Sequence, residues 1–333
     1  MTYAAFRAIG AYIPPKIMTN ADFEKIIDTT DEWITKRTGI KERRIAEDNE
    51  AASDLGARAA EQAIERSGLA KEDIDMVICA TVTPDYLCMP STACIIASKL
   101  DLPPVMAHDI SAACTGFVYA VSIAKAFIES GMKKNVLIVG AEKYTSILNY
   151  EDRGTCFIFG DGAGAAVISA TDNISEAIVD VNCSSDGNYD DLIKTPGGGS
   201  KTPCSQEVLD QKLACIQMKG NETFKLAVKT LTADVQVMLE KHNLTNEDIK
   251  HFIPHQANMR IIKAVGKALD LTEEQTVVTV DKYGNTSAAS IPMAMNYAYE
   301  QGRIKKGDTV LFDAFGAGLT WGSALFPFSP KDN

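Results

Sequence analysis

Apolar residues recur along this chain at two alternating spacings. In AASDLGARAAEQAIERSG (51–68) they return every three to four residues, which predicts a helix with Ser53 as its N-cap. DIDMVICATV (73–82) is a continuous apolar run of strand length. The alternation continues with a helix over 90–100, a strand over 105–111, a helix over 113–131 stopped by Gly131, and the strand NVLIVGAEK (135–143). Strands separated by helices predict parallel pairing in a layered α/β fold.

The pattern then repeats. GLAKEDIDMVICA (68–80) aligns with NLTNEDIKHFIPH (243–255) at an offset of 175, and a long helix precedes each, 51–68 and 222–243. GMKKNVLIVGAEK (131–143) matches RIKKGDTVLFDAFGAG (303–318), and VMAHDISAACTG matches VVTVDKYGNTSAAS (277–290). Three blocks in one order predict two similar α/β halves, 1–172 and 173–333. Cys114 and Asn285 then fall at equivalent strand-to-helix junctions, and His255 follows the run HFIP. In a pseudo-symmetric pair of sheets such strand ends converge on one cleft. Two stretches, 83–90 and 183–207, read as loops. FGDGAGAAVIS (159–169) reads as a glycine-rich central strand, because the order of elements a dinucleotide loop needs is missing.

Charge narrows the function. The net charge is −11 and the pI about 5.0, which argues against a nucleic-acid binder. No apolar run reaches the ~18 residues of a membrane span, and MTYAAFRAIGAYIPPK does not read as a leader, so a cytoplasmic protein is expected. Eight cysteines without a C-x-x-C pair read as reduced thiols.

One of them stands apart. Cys114, in SAACTG, lies among small residues at the start of a helix, where unpaired N–H groups favour a thiolate and predict a lowered pKa. Buried packing is the competing reading. Of four histidines, His255 in FIPHQANMR is the catalytic candidate, a loop residue with polar neighbours. His242 reads as solvated, His251 as a strand residue and His108 as a local hydrogen-bond partner. Asn285 in DKYGNTSAAS can donate an amide or simply cap a turn, and an N–H near Gly316 can complete an oxyanion hole. No metal-ligand spacing is present.

Taken together, ACTG, DRGTCFIFGDGAGAAV, PHQANMRI, YGNTSAASIP and FGAGLTWGSAL resemble the β-ketoacyl-acyl-carrier-protein synthase III family. The likeness runs nearly end to end. It implies the thiolase-like fold, a duplicated five-layer α/β/α/β/α arrangement, and condensation of an acyl-CoA primer with malonyl-acyl-carrier protein, without metal or redox cofactor. By the same resemblance Cys114 carries the acyl group, His255 and Asn285 hold the malonyl thioester, and the N–H groups of Cys114 and the Gly316–Ala317 turn form the oxyanion hole. Trp33, Arg37, Arg153, Gly220, Phe224 and Asn258 are the implied coenzyme A and pantetheine contacts. Gln256, Ala257, Asn258, Met259, Arg260, Lys225 and Lys267 are the implied carrier-protein contacts. Met89 stands at the acyl pocket, where the family reaches into the neighbouring subunit, so a homodimer is implied. FGAG stands where the family has three glycines. Thiolases, hydroxymethylglutaryl-CoA-type synthases and a noncatalytic carrier-protein scaffold are the competing readings, and the Cys-His-Asn set favours the condensing enzyme.

Overall fold

Runs such as MVICA and NVLIVGAEK are apolar on both faces, so each strand needs cover on both sides. The computed structural model, which describes residues 1–331, provides it by stacking five layers. Up to Thr171 the elements are β1 (Tyr3–Tyr12), β2 (Lys16–Thr19), α1 (Asn20–Phe23), α2 (Asp31–Thr38), β3 (Glu42–Ile45), α3 (Ala52–Ser67), β4 (Met76–Ala80), α4 (Thr92–Lys99), β5 (Met106–Ile110), α5 (Gly116–Glu129), β6 (Asn135–Lys143) and β7 (Asp161–Thr171). There follow β8 (Asp180–Ser185), β9 (Ile193–Lys194), α6 (Gln206–Asp210), β10 (Gln217–Met218), α7 (Gly220–Lys241), β11 (His251–Pro254), α8 (Met259–Ala268), α9 (Val280–Tyr283), α10 (Ser290–Glu300), β12 (Thr309–Gly316) and β13 (Thr320–Pro327).

The first large sheet has the order β1-β7-β6-β4-β5, the second β8-β13-β12-β11. In both, one pair is parallel (β4 with β6, β11 with β12) and the next two pairings are antiparallel. The order β1-β7-β6-β4 has the same sequence of pairings as β8-β13-β12-β11, and β5 has no counterpart strand among the described residues. Helices α3 and α4 cover the outer face of the first sheet through Leu55, Ala59, Ala63 and Ile96. Helices α7 and α8 cover the second through Leu231, Val235 and Val265. Between the sheets lie α5 and α10 in a core that includes Phe6, stacked on Phe326 at 4.5 Å, and Phe312. An aromatic pair of that kind adds about 1 kcal/mol beyond its burial. The glycine-rich run is the inner strand β7, as expected, and its glycines let Pro292 and Met293 of α10 close against it.

Four expectations need correction. Ser53 is inside α3 rather than its cap: Ala51 caps the helix, its N–H bound by Asp54, while the Ser53 hydroxyl donates to Asp85 at 2.6 Å. The run VVTV forms no full strand in the second sheet. Only an isolated bridge from the residue before it, Thr276 to Phe252, joins the sheet, because the chain turns at once into α9. Residues 183–185 of the expected loop complete β8, and two short strand and helix pieces, β9 and α6, punctuate the rest. Finally, the turn equivalent to Ala113–Thr115 is Ser287–Ala289, both opening on a left-handed residue, Ala113 at φ 46° and Ser287 at φ 48°. Cys114 thus matches Ala288, and Asn285 stands three residues upstream.

Candidate active site

The ends of β6, β11 and β12 meet where the two sheets face, and a cavity of about 480 Å³ opens there. Cys114, His255 and Asn285 all line it, together with Ala317. Three residues separated by up to 171 positions in sequence are thus brought to one space by the fold.

Cys114 sits in the single turn Ala113–Thr115 that leads into α5, and it is 9% exposed. Its turn is tied to the β12–β13 connection: Thr115 Oγ1 donates to Thr320 O at 3.2 Å and Thr320 Oγ1 to Ala112 O at 3.0 Å. Gly316 backs onto it so closely that a Cβ there would stand 2.8 Å from Cys114 N. The lowered thiol pKa read from the helix position is not found. Burial outweighs the helix end and pushes the thiol up to about 12, with the Glu142 carboxyl raising it further and the Ser287 hydroxyl opposing.

His255 follows β11 and is anchored by its N–H on Asp313 O. Its Nδ1 lies 2.7 Å from Ser290 Oγ, which also accepts from Gln256 N at 3.3 Å. The Ser290 hydroxyl has one hydrogen to give, and where it is given to Nδ1 the ring hydrogen sits on Nε2. Burial holds the imidazole neutral, its pKa pushed down to about 3. The ring is therefore a neutral hydrogen-bond donor.

Asn285 is fixed by its backbone, which bridges Ile158 and Gly160 at 2.9 and 3.0 Å. Gly284 makes this possible: its φ is +65°, and a Cβ would come 2.9 Å from Ile158 O. Asn285 Oδ1 accepts from Ser287 N at 2.8 Å, which assigns the oxygen and leaves the amide hydrogens to donate.

The rim carries the other expected contacts. Arg37, Gly220, Phe224, Lys225, Ala257, Asn258 and Arg260 line the cavity. Arg260 stacks its guanidinium on Phe224 at 5.2 Å, and Asn258 caps α8 through Arg260 N at 2.8 Å. Trp33 lies just outside, its ring flanked by Arg37 at 5.3 Å and Arg153 at 5.5 Å.

Other expected contacts fall elsewhere. Gln256 cannot meet a carrier protein, because it is 1% exposed and fully engaged. Its Nε2 donates to Pro254 O and Val277 O, and its Oε1 accepts from Thr279 N and Val280 N. We expect Gln256→Ala to cost roughly 2–4 kcal/mol through four orphaned backbone groups, read as a lowered Tm. Met259 turns inward beneath Gly39. Lys267 faces a separate groove on the far side of α8. Met89 does not reach its own chain's cavity and is 78% exposed on the 83–90 loop. His242 is paired with Asp180 at 2.7 Å rather than solvated. Among the described residues His108 Nδ1 has no hydrogen-bond partner, and Asp109 instead accepts from Thr92 N and Ala93 N at the start of α4.

Sequence reading missed Glu142, Tyr144, Ser287 and Ser290, which surround Cys114 and His255. A visible signal existed: Glu142 is a lone carboxylate inside an apolar strand run, and buried carboxyls gather at functional sites.

Comparison with known proteins agrees with this geometry. Residues 108–187 match the family described as 3-Oxoacyl-[acyl-carrier-protein (ACP)] synthase III, and residues 239–328 match its C-terminal part. A β-ketoacyl-[acyl-carrier-protein] synthase III of Aliarcobacter butzleri is 81% identical over 330 residues, 99% of each chain. That of Helicobacter pylori strain 26695 is 58% identical over 98% of each. The crystal structure of the Aquifex aeolicus 3-oxoacyl-[acyl-carrier-protein] synthase III superposes with a TM-score of 0.90 at 42% identity, covering 97% of this chain and 99% of that one. By sequence along nearly its whole length, and by a thiolase-type fold with both halves feeding one cavity, this chain belongs to the β-ketoacyl-[acyl-carrier-protein] synthase III family.

Proposed function

We propose that this chain starts fatty-acid synthesis by condensing an acyl-CoA primer, acetyl-CoA in the simplest case, with malonyl-acyl-carrier protein. One observation carries the reading: a cysteine, a neutral donor histidine and a donor asparagine share one cavity whose rim holds Arg37, Lys225 and Arg260. In the first step the Cys114 sulfur attacks the primer carbonyl, the coenzyme A sulfur leaves, and a Cys114 thioester remains. In the second, malonyl-acyl-carrier protein loses CO₂. The electron pair left behind forms an enolate whose oxygen is held by His255 Nε2–H and the Asn285 amide. The enolate carbon then attacks the Cys114 thioester and the sulfur departs. Backbone N–H groups at Cys114 and Ala317 serve the tetrahedral oxyanion. Splitting the reaction divides one difficult step into two easier ones, and decarboxylation supplies the carbanion, so the chemistry calls for no metal or redox group.

At the mouth, the Trp33 ring between Arg37 and Arg153 suits an adenine and its phosphates, while Phe224, Gly220 and Asn258 suit a pantetheine arm. The exposed Arg260 and Lys225 suit the acidic carrier protein despite the net negative charge, because steering follows the local field. Lys267 lies apart from them, so its share in docking is the weaker. We place a second copy of the chain over the exposed Tyr86, Leu87 and Met89, giving a homodimer of the cytoplasm. No helix among the described residues is long and apolar enough to cross a membrane.

The test is intact-protein mass after mixing with acetyl-CoA. A gain of one acetyl group is expected, discharged by malonyl-acyl-carrier protein as a 3-oxoacyl product. No adduct with acetyl-CoA or any longer acyl-CoA would overturn the reading.

A further inference from the structure

Glu142 ends the apolar part of β6 directly behind the nucleophile and is completely buried. A carboxyl so placed needs hydrogen-bonding partners, and its two oxygens are served unequally. Oε2 accepts from Thr83 Oγ1 at 2.6 Å, Val82 N at 3.1 Å and Thr81 Oγ1 at 3.2 Å. Oε1 has only a long contact, Val82 N at 3.4 Å.

On the other side stands Ser287. Its hydroxyl is buried without a well-formed hydrogen bond, and it faces the Cys114 thiol, the Glu142 carboxyl and the Tyr144 hydroxyl together. The residue is held in the left-handed region at φ 48°, with its N–H on Asn285 Oδ1. A side-chain-bearing residue kept there is a conformation the surroundings must enforce, and such positions cluster at functional sites. Its turn packs against both the Cys114 turn and β6. The titratable groups facing Glu142 are Cys114, Tyr144 and Cys79.

We propose that Glu142, acting through the Ser287 hydroxyl, takes up the Cys114 proton during priming and holds it while the acyl group is on sulfur. The inference rests on the priming step proposed above. As the S–H bond breaks, its proton passes to Ser287 Oγ, and the Ser287 hydroxyl proton passes to Glu142 Oε1. The freed sulfur pair forms the bond to the acyl carbon, the bond to the coenzyme A sulfur breaks, and that thiolate is protonated from water. After condensation the same proton returns along Ser287 to the departing Cys114 thiolate. Ser287 faces the Cys114 thiol, and Glu142 acts through it.

The alternative acceptor is His255, and it is poorly matched. A thiol near 12 gives up its proton unwillingly to an imidazole near 3, while burial has pushed the Glu142 carboxyl up to about 7, much closer to the donor.

The deciding experiment is the pH dependence of iodoacetamide alkylation at Cys114, followed by the mass of the peptide that carries it. This readout needs no acyl-CoA, so it remains decisive even if acetyl-CoA leaves no adduct. With an internal acceptor, the native rate climbs about tenfold per pH unit up to about 7 and then levels, because the proton is already counted out once Glu142 ionises. Glu142→Gln keeps the shape and removes the acceptor. Its rate is expected to climb about tenfold per unit from pH 6 to 9 without levelling. Ser287→Ala, which leaves the carboxyl in place, is expected to show the same loss of the plateau and carries the test if the glutamine variant does not fold. Glu142→Asp should restore part of it. A native profile with no levelling near neutrality, or a variant that is slower by one factor at every pH, overturns the proposal.

Discussion

Cys114→Ala is expected to abolish the acetyl adduct and to lower condensation by at least about 10⁴-fold, because without a nucleophile the two-step route does not exist. The fold should barely notice. Alanine fits where the buried thiol stood, and the turn is held by Thr115 and Thr320 rather than by the sulfur. Unfolding free energy should stay within about 1 kcal/mol of the native value. The measurement is intact mass after acetyl-CoA, paired with a thermal melt. An adduct that survives in a folded Cys114→Ala chain would transfer the role to another thiol. Cys156 is a poor replacement, since it does not line the cavity.

His255→Ala should divide the reaction differently. Acylation at Cys114 is expected to persist, since the ring is assigned to the malonyl half. Loss of one donor to the developing enolate costs about 10²–10³-fold in the decarboxylating step. Comparing adduct formation with CO₂ release from malonyl-acyl-carrier protein separates the two, and an equal fall in both would sink the assignment. The same residue has a signature in stability. Its folded pKa is near 3 and its unfolded one near 6.5, so the unfolded chain binds the proton more readily. Its contribution stands in full above pH 6.5 and is lost as pH falls toward 3. His255→Ala should flatten that part of the stability profile.

Much of this was legible before any coordinates. Strand β6 carries the bounds the apolar run predicted, because a strand buried on both faces announces itself by its uninterrupted apolarity. Cys114, His255 and Asn285 could be picked out because each follows or opens an apolar element of the repeat. What resisted reading depends on distance across the fold. Gln256 looks like a surface amide in HQANMR, and only the return of residues 277–280 beside it shows three of its four hydrogen bonds. The thiol's raised pKa was hidden for the same reason. A helix start is a local feature, whereas desolvation sums over every element packed around the site. Ser287 looked like one more small residue in NTSAAS, with nothing in the sequence to mark its backbone as left-handed.

The five-layer stack also limits how the molecule can move. Helices α5 and α10 are a filling shared by both sheets, and Phe6 of the first sheet is stacked on Phe326 of the second. Swinging the two sheets apart would tear the largest apolar core, so access to the reacting carbons cannot be controlled by opening a hinge between them. Admission and release fall instead to the rim, where Trp33, Arg37, Phe224 and Arg260 are partly or fully exposed. The chemical centre is thus built for stillness, and what freedom the site has lies with a handful of side chains at its doorway.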